Sequence, residues 1–157
     1  MTSGSTKKAM VYRFDRELLA GFVDSANPLE GNQVQFLNRA GVIQNIPLEQ
    51  VKLVCFVRDW IEGPAWSRNQ YAVRPRQQGL WIRLRFHDGE TLEATMPNNL
   101  SALDPHAFTI CPPDTILGVQ RILVPRQALD SFEILGVVGS PLKKKKTAAQ
   151  NQLSMFD

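Results

Sequence analysis

Two stretches of this chain gather side chains able to do chemistry. Between Arg58 and Arg85 lie all three tryptophans (Trp60, Trp66, Trp81), Tyr71, and Arg58, Arg68, Arg74, Arg76, Arg83 and Arg85, opposed only by Asp59 and Glu62. Rings stack on bases and guanidinium groups hold phosphates, so this mixture suits single-stranded nucleic acid. Trp, Tyr and Arg are also the residues that dominate protein–protein contacts, which makes a protein-binding surface the second reading. The plainest reading has Trp60 and Trp81 capping cores while the arginines are solvated. The other stretch is Gln152-Leu153-Ser154-Met155-Phe156 at the C-terminus. Leu153, Met155 and Phe156 are apolar anchors for a cleft, and the Gln152 amide both donates and accepts. The Met thioether adapts to an irregular wall. Upstream, Lys143-Lys144-Lys145-Lys146 and Thr147 to Asn151 have nothing to bury. Such a composition does not offset its own ordering entropy, so a disordered tether carrying a peptide ligand is expected.

Gln152-Leu153-Ser154-Met155-Phe156 closely resembles the short peptide by which bacterial proteins bind the DNA polymerase sliding clamp: Gln, Leu, a small or acidic residue, an aliphatic residue, Phe. The resemblance implies a sliding clamp as partner and these five residues as the clamp-binding set. Gln150, Leu153 and Phe156 also fit in part the spacing used for eukaryotic and archaeal clamps. That version normally carries a second aromatic where this chain has Asp157. The bacterial pattern is met at every position and is preferred. Beside a clamp the four lysines would add salt-dependent attraction to DNA or to an acidic surface. Read alone they are a solvated run, or, after Pro141-Leu142 in a eukaryote, a nuclear address.

Residues for catalysis are not arranged in any recognised constellation. His87 stands beside Asp88 in a turn, and His106 follows Asp104-Pro105 without a ligand-spaced partner. Cys55 and Cys111 are far apart and outside any CxxC motif, so they read as buried free thiols rather than zinc ligands. Ser101 and Ser131 lack a glycine elbow, and Gly136 and Gly139 close a strand instead of opening a phosphate-binding helix. Asp24-Ser25-Ala26-Asn27 and Arg74-Pro75-Arg76 faintly resemble parts of cyclic-dinucleotide-binding barrels, but the second arginine is misplaced and a partner motif is missing. The expectation is a non-enzymatic protein with no cofactor and no metal.

The net charge of +3 comes from the tails. Lys7, Lys8 and the four tail lysines supply six of the 18 basic residues, leaving twelve against fourteen acidic ones between Ala9 and Leu142. Global charge therefore does not argue that the body binds nucleic acid. With 43% hydrophobic residues the 157-residue chain has enough apolar side chains for a real core. It has no apolar run long enough to span a membrane and no signal-peptide core, so no membrane partner and a cytoplasmic, bacterial location are expected, with nucleoid association if the clamp is the partner. Oligomeric state is left open.

Strands must position these residues. Met10 to Phe14 alternates, Asp15-Arg16-Glu17 turns, and Leu18 to Val23 returns. Val34 to Leu37 and Gly41 to Ile46 follow, and Val51 to Val57 is a near-continuous apolar run, the mark of a central strand. The order then restarts: Leu80 to Phe86, a hairpin turn at His87-Asp88-Gly89-Glu90, then Thr91 to Met96. Phe14 aligns with Phe86, Phe36 with Phe108, and Ile46-Pro47-Leu48-Glu49-Gln50-Val51 with Val124-Pro125-Arg126-Gln127-Ala128-Leu129. The closing strands are Val51–Val57 and Phe132–Val138. Short helical turns are expected after both prolines. This order resembles, in topology, a small Sm-like or SH3-like barrel used twice; Val51 to Trp60, with Phe56-Val57-Arg58-Asp59, also resembles a segment of an uncharacterised bacterial domain family. The predicted fold is mainly β, two tandem small Sm-like/SH3-like barrels with a disordered C-terminal tail. The boundaries are a flexible N-terminus 1–9, units 10–62 and 80–140, a Trp/Arg-rich connection 63–79 and the tail 141–157.

Overall fold

The computed structural model describes residues 5–60, 70–99, 105–113 and 119–139. The protein is mainly β. Its strands are β1 (Thr6–Arg13), β2 (Leu18–Asp24), β3 (Leu29–Glu30), β4 (Gln33–Asn38), β5 (Ile43–Pro47), β6 (Val51–Val57), β7 (Gly79–Phe86), β8 (Thr91–Met96), β9 (Ala107–Ile110), β10 (Val119–Pro125) and β11 (Leu129–Val138). Two 3-10 turns, Leu48–Gln50 and Arg126–Ala128, follow Pro47 and Pro125 as expected. No helix among the described residues is long and apolar enough to cross a membrane.

All named pairings are antiparallel, and they run β5-β4-β2-β1-β6-β10-β9 in space. Among the described residues a single isolated bridge, Thr95 with Cys111, joins the end of this sheet to β8, which continues through β7 to β11. Divided at residue 78, the path gives β6-β1-β2-β4-β5 in the first half and β11-β7-β8-β9-β10 in the second. In chain order both read closing strand, first, second, third, fourth. The strand order repeats.

Backbone detail refines how the halves correspond. Arg13 N–H donates to Glu17 O (3.0 Å), Arg16 N–H to Arg13 O (3.1 Å), and Glu17 N–H to Asp15 Oδ1 (2.9 Å). The second half repeats this: Phe86 N–H to Glu90 O (2.9 Å), Gly89 N–H to Phe86 O (2.9 Å), Glu90 N–H to Asp88 Oδ1 (3.0 Å). Each is a turn followed by a residue with positive φ, Arg16 at 69° and Gly89 at 89°, as a three-residue hairpin loop requires. Arg13 therefore matches Phe86 and Phe14 matches His87, one residue away from the alignment of Phe14 with Phe86. Pro47 (φ −58°, ψ 135°) and Pro125 (φ −65°, ψ 134°) match. Counting back through the β4–β5 and β9–β10 registers sets Val34 against Phe108 and Phe36 against Ile110. Hydrogen bonds decide the correspondence, whereas the recurrence of phenylalanine does not.

Strand β6 explains its apolar run by its place. It lies between β1 and β10 and is buried on both faces. Val51, Val54 and Phe56 fill one core with Ala9, Val11, Val34, Phe36 and Ile46, to which the second half lends Ala107 and Leu123. Leu53, Cys55 and Val57 fill the other with Ile82, Leu84, Phe86, Leu92 and Ile122, to which β1 lends Met10. The halves thus complete each other's interiors. Cys55 is a free, buried thiol, and burial raises its pKa. Cys111 is also free, but only half-buried, because it stands at the single bridge to Thr95.

Candidate functional site

The Asp88-Gly89 turn sets the β7–β8 register, which places Arg83 opposite Glu93 and Trp81 opposite Thr95. Alternation sends Ile82, Leu84, Leu92 and Ala94 into the core. Trp81, Arg83, Arg85, Glu93 and Thr95 take the other face. There Glu93 is only 6% exposed and Thr95 2%, so this face is covered along β8.

Glu93 is the hub of this face. Its Oε1 accepts from the Trp81 indole N–H (3.0 Å) and from the Tyr71 backbone N–H (3.3 Å). Arg83 lies 3.8 Å from Oε2 and reaches Glu133 of β11 at 3.1 Å. The Tyr71 ring meets the Trp81 ring edge-on, centroids 6.5 Å apart, and burial raises the Tyr71 pKa. Arg74 donates to Val137 O (2.6 Å), fastening the segment after Tyr71 across the end of β11. A cleft of about 330 Å³ runs along this segment, lined by Tyr71, Arg74, Arg76, Gln77 and Pro113 among others.

Of the residues singled out from sequence, the structure brings Tyr71, Arg74 and Trp81 together and leaves Arg76 exposed beside them in the cleft. Trp60 belongs to another neighbourhood. Its N–H donates to Gly21 O of β2 (3.0 Å), Phe22 meets its ring edge-on at 5.2 Å, and Lys8 and Arg39 lie over that ring at 4.9 and 4.7 Å. The ring's cation partners are thus supplied within the chain. Trp66 and Arg68 lie outside the described residues, as do Gln152, Leu153, Ser154, Met155, Phe156 and Lys143, Lys144, Lys145 and Lys146. Glu93 was missed by sequence reasoning. The signal was available, because counting outward from Asp88-Gly89 sets Glu93 against Arg83.

A second polar cluster ties the halves together. Lys52, at the bulge of β6, reaches Asp88 (2.7 Å) and Glu90 (2.6 Å) of the second-half turn and lies over the Phe86 ring. Burial opposes the Lys52 charge, but the two carboxylates more than offset it and leave its pKa raised. Burial likewise opposes the Asp88 charge, and the Lys52 bond with the turn's N–H groups more than offsets it, holding the carboxyl below its ordinary range. His87 contacts the Asp130 carboxylate through Nδ1 and Gln127 O through Nε2. Both partners are acceptors, so the ring fits as an imidazolium donating twice, and its pKa is raised, first by Asp130 and then by Gln127 O. Both ring nitrogens are thus engaged by the segment from Gln127 to Asp130. Among the described residues no group of three or more His, Cys, Asp or Glu is placed to hold a metal ion.

No curated protein and no solved structure matches this chain. A family model does match, over residues 5–136, which takes in both halves of the strand path and stops short of the terminal peptide; the chain belongs to that family, DUF6982, a family of unknown function.

Proposed function

We propose that this protein is a non-enzymatic bacterial adaptor that docks Gln152-Leu153-Ser154-Met155-Phe156 on the DNA polymerase sliding clamp and thereby brings its β body to DNA or to a replication or repair partner. The single observation that carries this reading is that peptide: an amide followed by spaced apolar anchors, set after a run from Lys143 to Asn151 with no apolar side chain larger than alanine. Anchors of this kind supply most of a peptide's affinity. A tether makes the body's own weak contacts effectively intramolecular once the peptide is docked. On this reading the protein works in the cytoplasm at the nucleoid, and each half of the strand path serves as a small Sm-like or SH3-like unit.

The test is capture of the full chain on an immobilised bacterial sliding clamp. Wild type binds modestly, because an extended peptide loses chain entropy on docking. Leu153→Ala with Phe156→Ala abolishes binding and leaves the thermal unfolding of the body unchanged. If the double variant binds as wild type does, or wild type does not bind, the clamp reading fails. A second reading, an RNA- or protein-binding module without a clamp partner, is favoured by the Tyr71–Arg74–Trp81 cluster and its cleft. Under that reading the tail variant keeps the partner and Trp81→Ala loses it.

A further inference from the structure

The strand path has two ends. Strand β5 pairs only with β4 and β11 only with β7 among the described residues, so each leaves an outer edge open. Between them the chain has already solved the same problem once. The closing strand of the first half, β6, pairs on its outer edge with the fourth strand of the second half, β10. The matching strands of the opposite halves are β11 and β5. What the interior joins is what the ends leave open.

The open ends are also where apolar side chains stay uncovered. Large hydrophobic residues exposed among the described residues are Val42, Ile43, Val73, Phe132, Ile134 and Val137, and all but Val73 belong to β11 or to β5 and the turn entering it. Phe132 and Ile134 pair with Leu84 and Ile82, so they sit on the core side of β11, yet they are 42% and 57% exposed. Their counterparts in β6, Val54 and Phe56, face the first-half core and are covered by β10, through Leu123 and the Arg121 guanidinium over the Phe56 ring. Ile43, the counterpart of Arg121, is 53% exposed.

We propose that the protein associates head to tail with a second copy of itself, the outer edge of β5 in one molecule pairing antiparallel with the outer edge of β11 in the next. The internal pair sets Leu123 against Val54, Ile122 against Cys55 and Arg121 against Phe56. Transferred through the matched turns and prolines, that register sets Asn45 against Phe132, Gln44 against Glu133 and Ile43 against Ile134. The two isoleucines make an apolar cross-strand pair, and the Gln44 amide faces the Glu133 carboxylate. Arg74 on Val137 O closes the far end of β11, which confines pairing to the stretch this register uses. The contact joins unlike surfaces, so it generates a ring where the rotation closes and an open chain where it does not. It is independent of the clamp-binding reading.

The experiment measures the mass of the full chain by light scattering across a concentration series, for wild type, Ile43→Lys and Ile134→Lys. Lysine on an open edge strand blocks pairing, and both positions are exposed, so circular dichroism is expected to match wild type. Wild type rises above the 17.7 kDa monomer with concentration, while each variant alone stays monomeric. Mixed in equal amounts, the variants form a dimer and nothing larger, because one retains an intact β11 edge and the other an intact β5 edge. A wild type that stays monomeric throughout, a single variant that still assembles, or a mixture that stays monomeric overturns the proposal.

Discussion

Glu93 offers the sharpest test of the candidate site. Replacing it by Ala removes the one oxygen that accepts from both the Trp81 indole and the Tyr71 backbone. An orphaned buried donor costs roughly 1–3 kcal/mol. Tyr71 lies in a half-buried segment where water can replace the lost acceptor, so the indole carries most of the penalty. Adding the lost Arg83 attraction, weak at 3.8 Å and with Arg83 exposed, the total is about 2–4 kcal/mol. Glu93→Gln keeps an oxygen for both donors and loses only the charge. Charge-assisted bonds are about twice as strong as neutral ones, so this change costs about 1 kcal/mol. For a chain of this size each kcal/mol moves the melting point by roughly 2–4 °C. Thermal unfolding followed by circular dichroism should therefore fall by roughly 5–15 °C for Ala and about 2–4 °C for Gln. Tryptophan emission from the folded Ala variant should also shift as the Trp81 N–H loses its partner. If Ala and Gln melt together, or Ala melts within a degree or so of wild type, Glu93 is not holding this face together, and the reasoning from its hydrogen bonds is refuted.

Two further perturbations read the repeated turn. Arg16→Gly relieves a side chain held at φ 69° and exposed to solvent; removing a left-handed penalty of roughly 1–2 kcal/mol, less the added chain entropy of glycine, raises stability by about 0.5–1 kcal/mol in denaturant titration, while Gly89→Ala lowers it. The His87 ring has a raised folded pKa, so its contribution is fully present below the ordinary histidine value near 6.5 and is lost as pH rises through the folded value. The melting point of wild type should therefore decline above that pH relative to His87→Gln, and parallel curves for the two would remove His87 as the titrating group.

What was legible in the sequence is what local chemistry writes. Asp88-Gly89 declares its turn because glycine is free to take positive φ, and Val51 to Val57 declares a central strand because both faces are apolar. Pro47 and Pro125 mark the entries to the two closing strands. The turn at Asp15-Arg16-Glu17 was legible too, but its match to the second turn was set one residue off, because arginine does not advertise the left-handed conformation that Gly89 does. The β6–β10 pairing was not legible, since it joins residues more than sixty positions apart and leaves no local trace. The same remoteness separated Trp60 from Trp81: both lie in one Arg-rich stretch, but β2 holds one and β8 the other.

The two halves differ most where their repeat is tightest. Lys52 and Asp130 occupy the same bulge of the two closing strands, each standing between residues paired to the first strand of its half. Both turn toward the second-half loop, Lys52 to Asp88 and Glu90, Asp130 to His87. The polar contacts of the first-half loop stay within its own half, Arg13 with Asp15, Glu17 and Gln50, while its Phe14 ring meets the His87 ring across the junction. Polar specialisation has therefore gathered at the junction between the halves, where charges are paired. At the free edges the chain keeps isoleucine and phenylalanine instead. An edge meant only to face water is better served by lysine or by a bulge, because exposed apolar strands invite indiscriminate pairing. Retaining Ile43, Phe132 and Ile134 there leaves apolar area uncovered in the single molecule, a cost of about 25 cal/mol for each Å² that a partner would remove. The proposal for Leu153, Met155 and Phe156 rests on a like contrast in the sequence, where Lys143 to Asn151 hold nothing apolar larger than alanine. The self-association and the clamp docking proposed above answer to the same contrast, apolar side chains set among polar neighbours at two strand edges and, in the sequence, at Leu153, Met155 and Phe156.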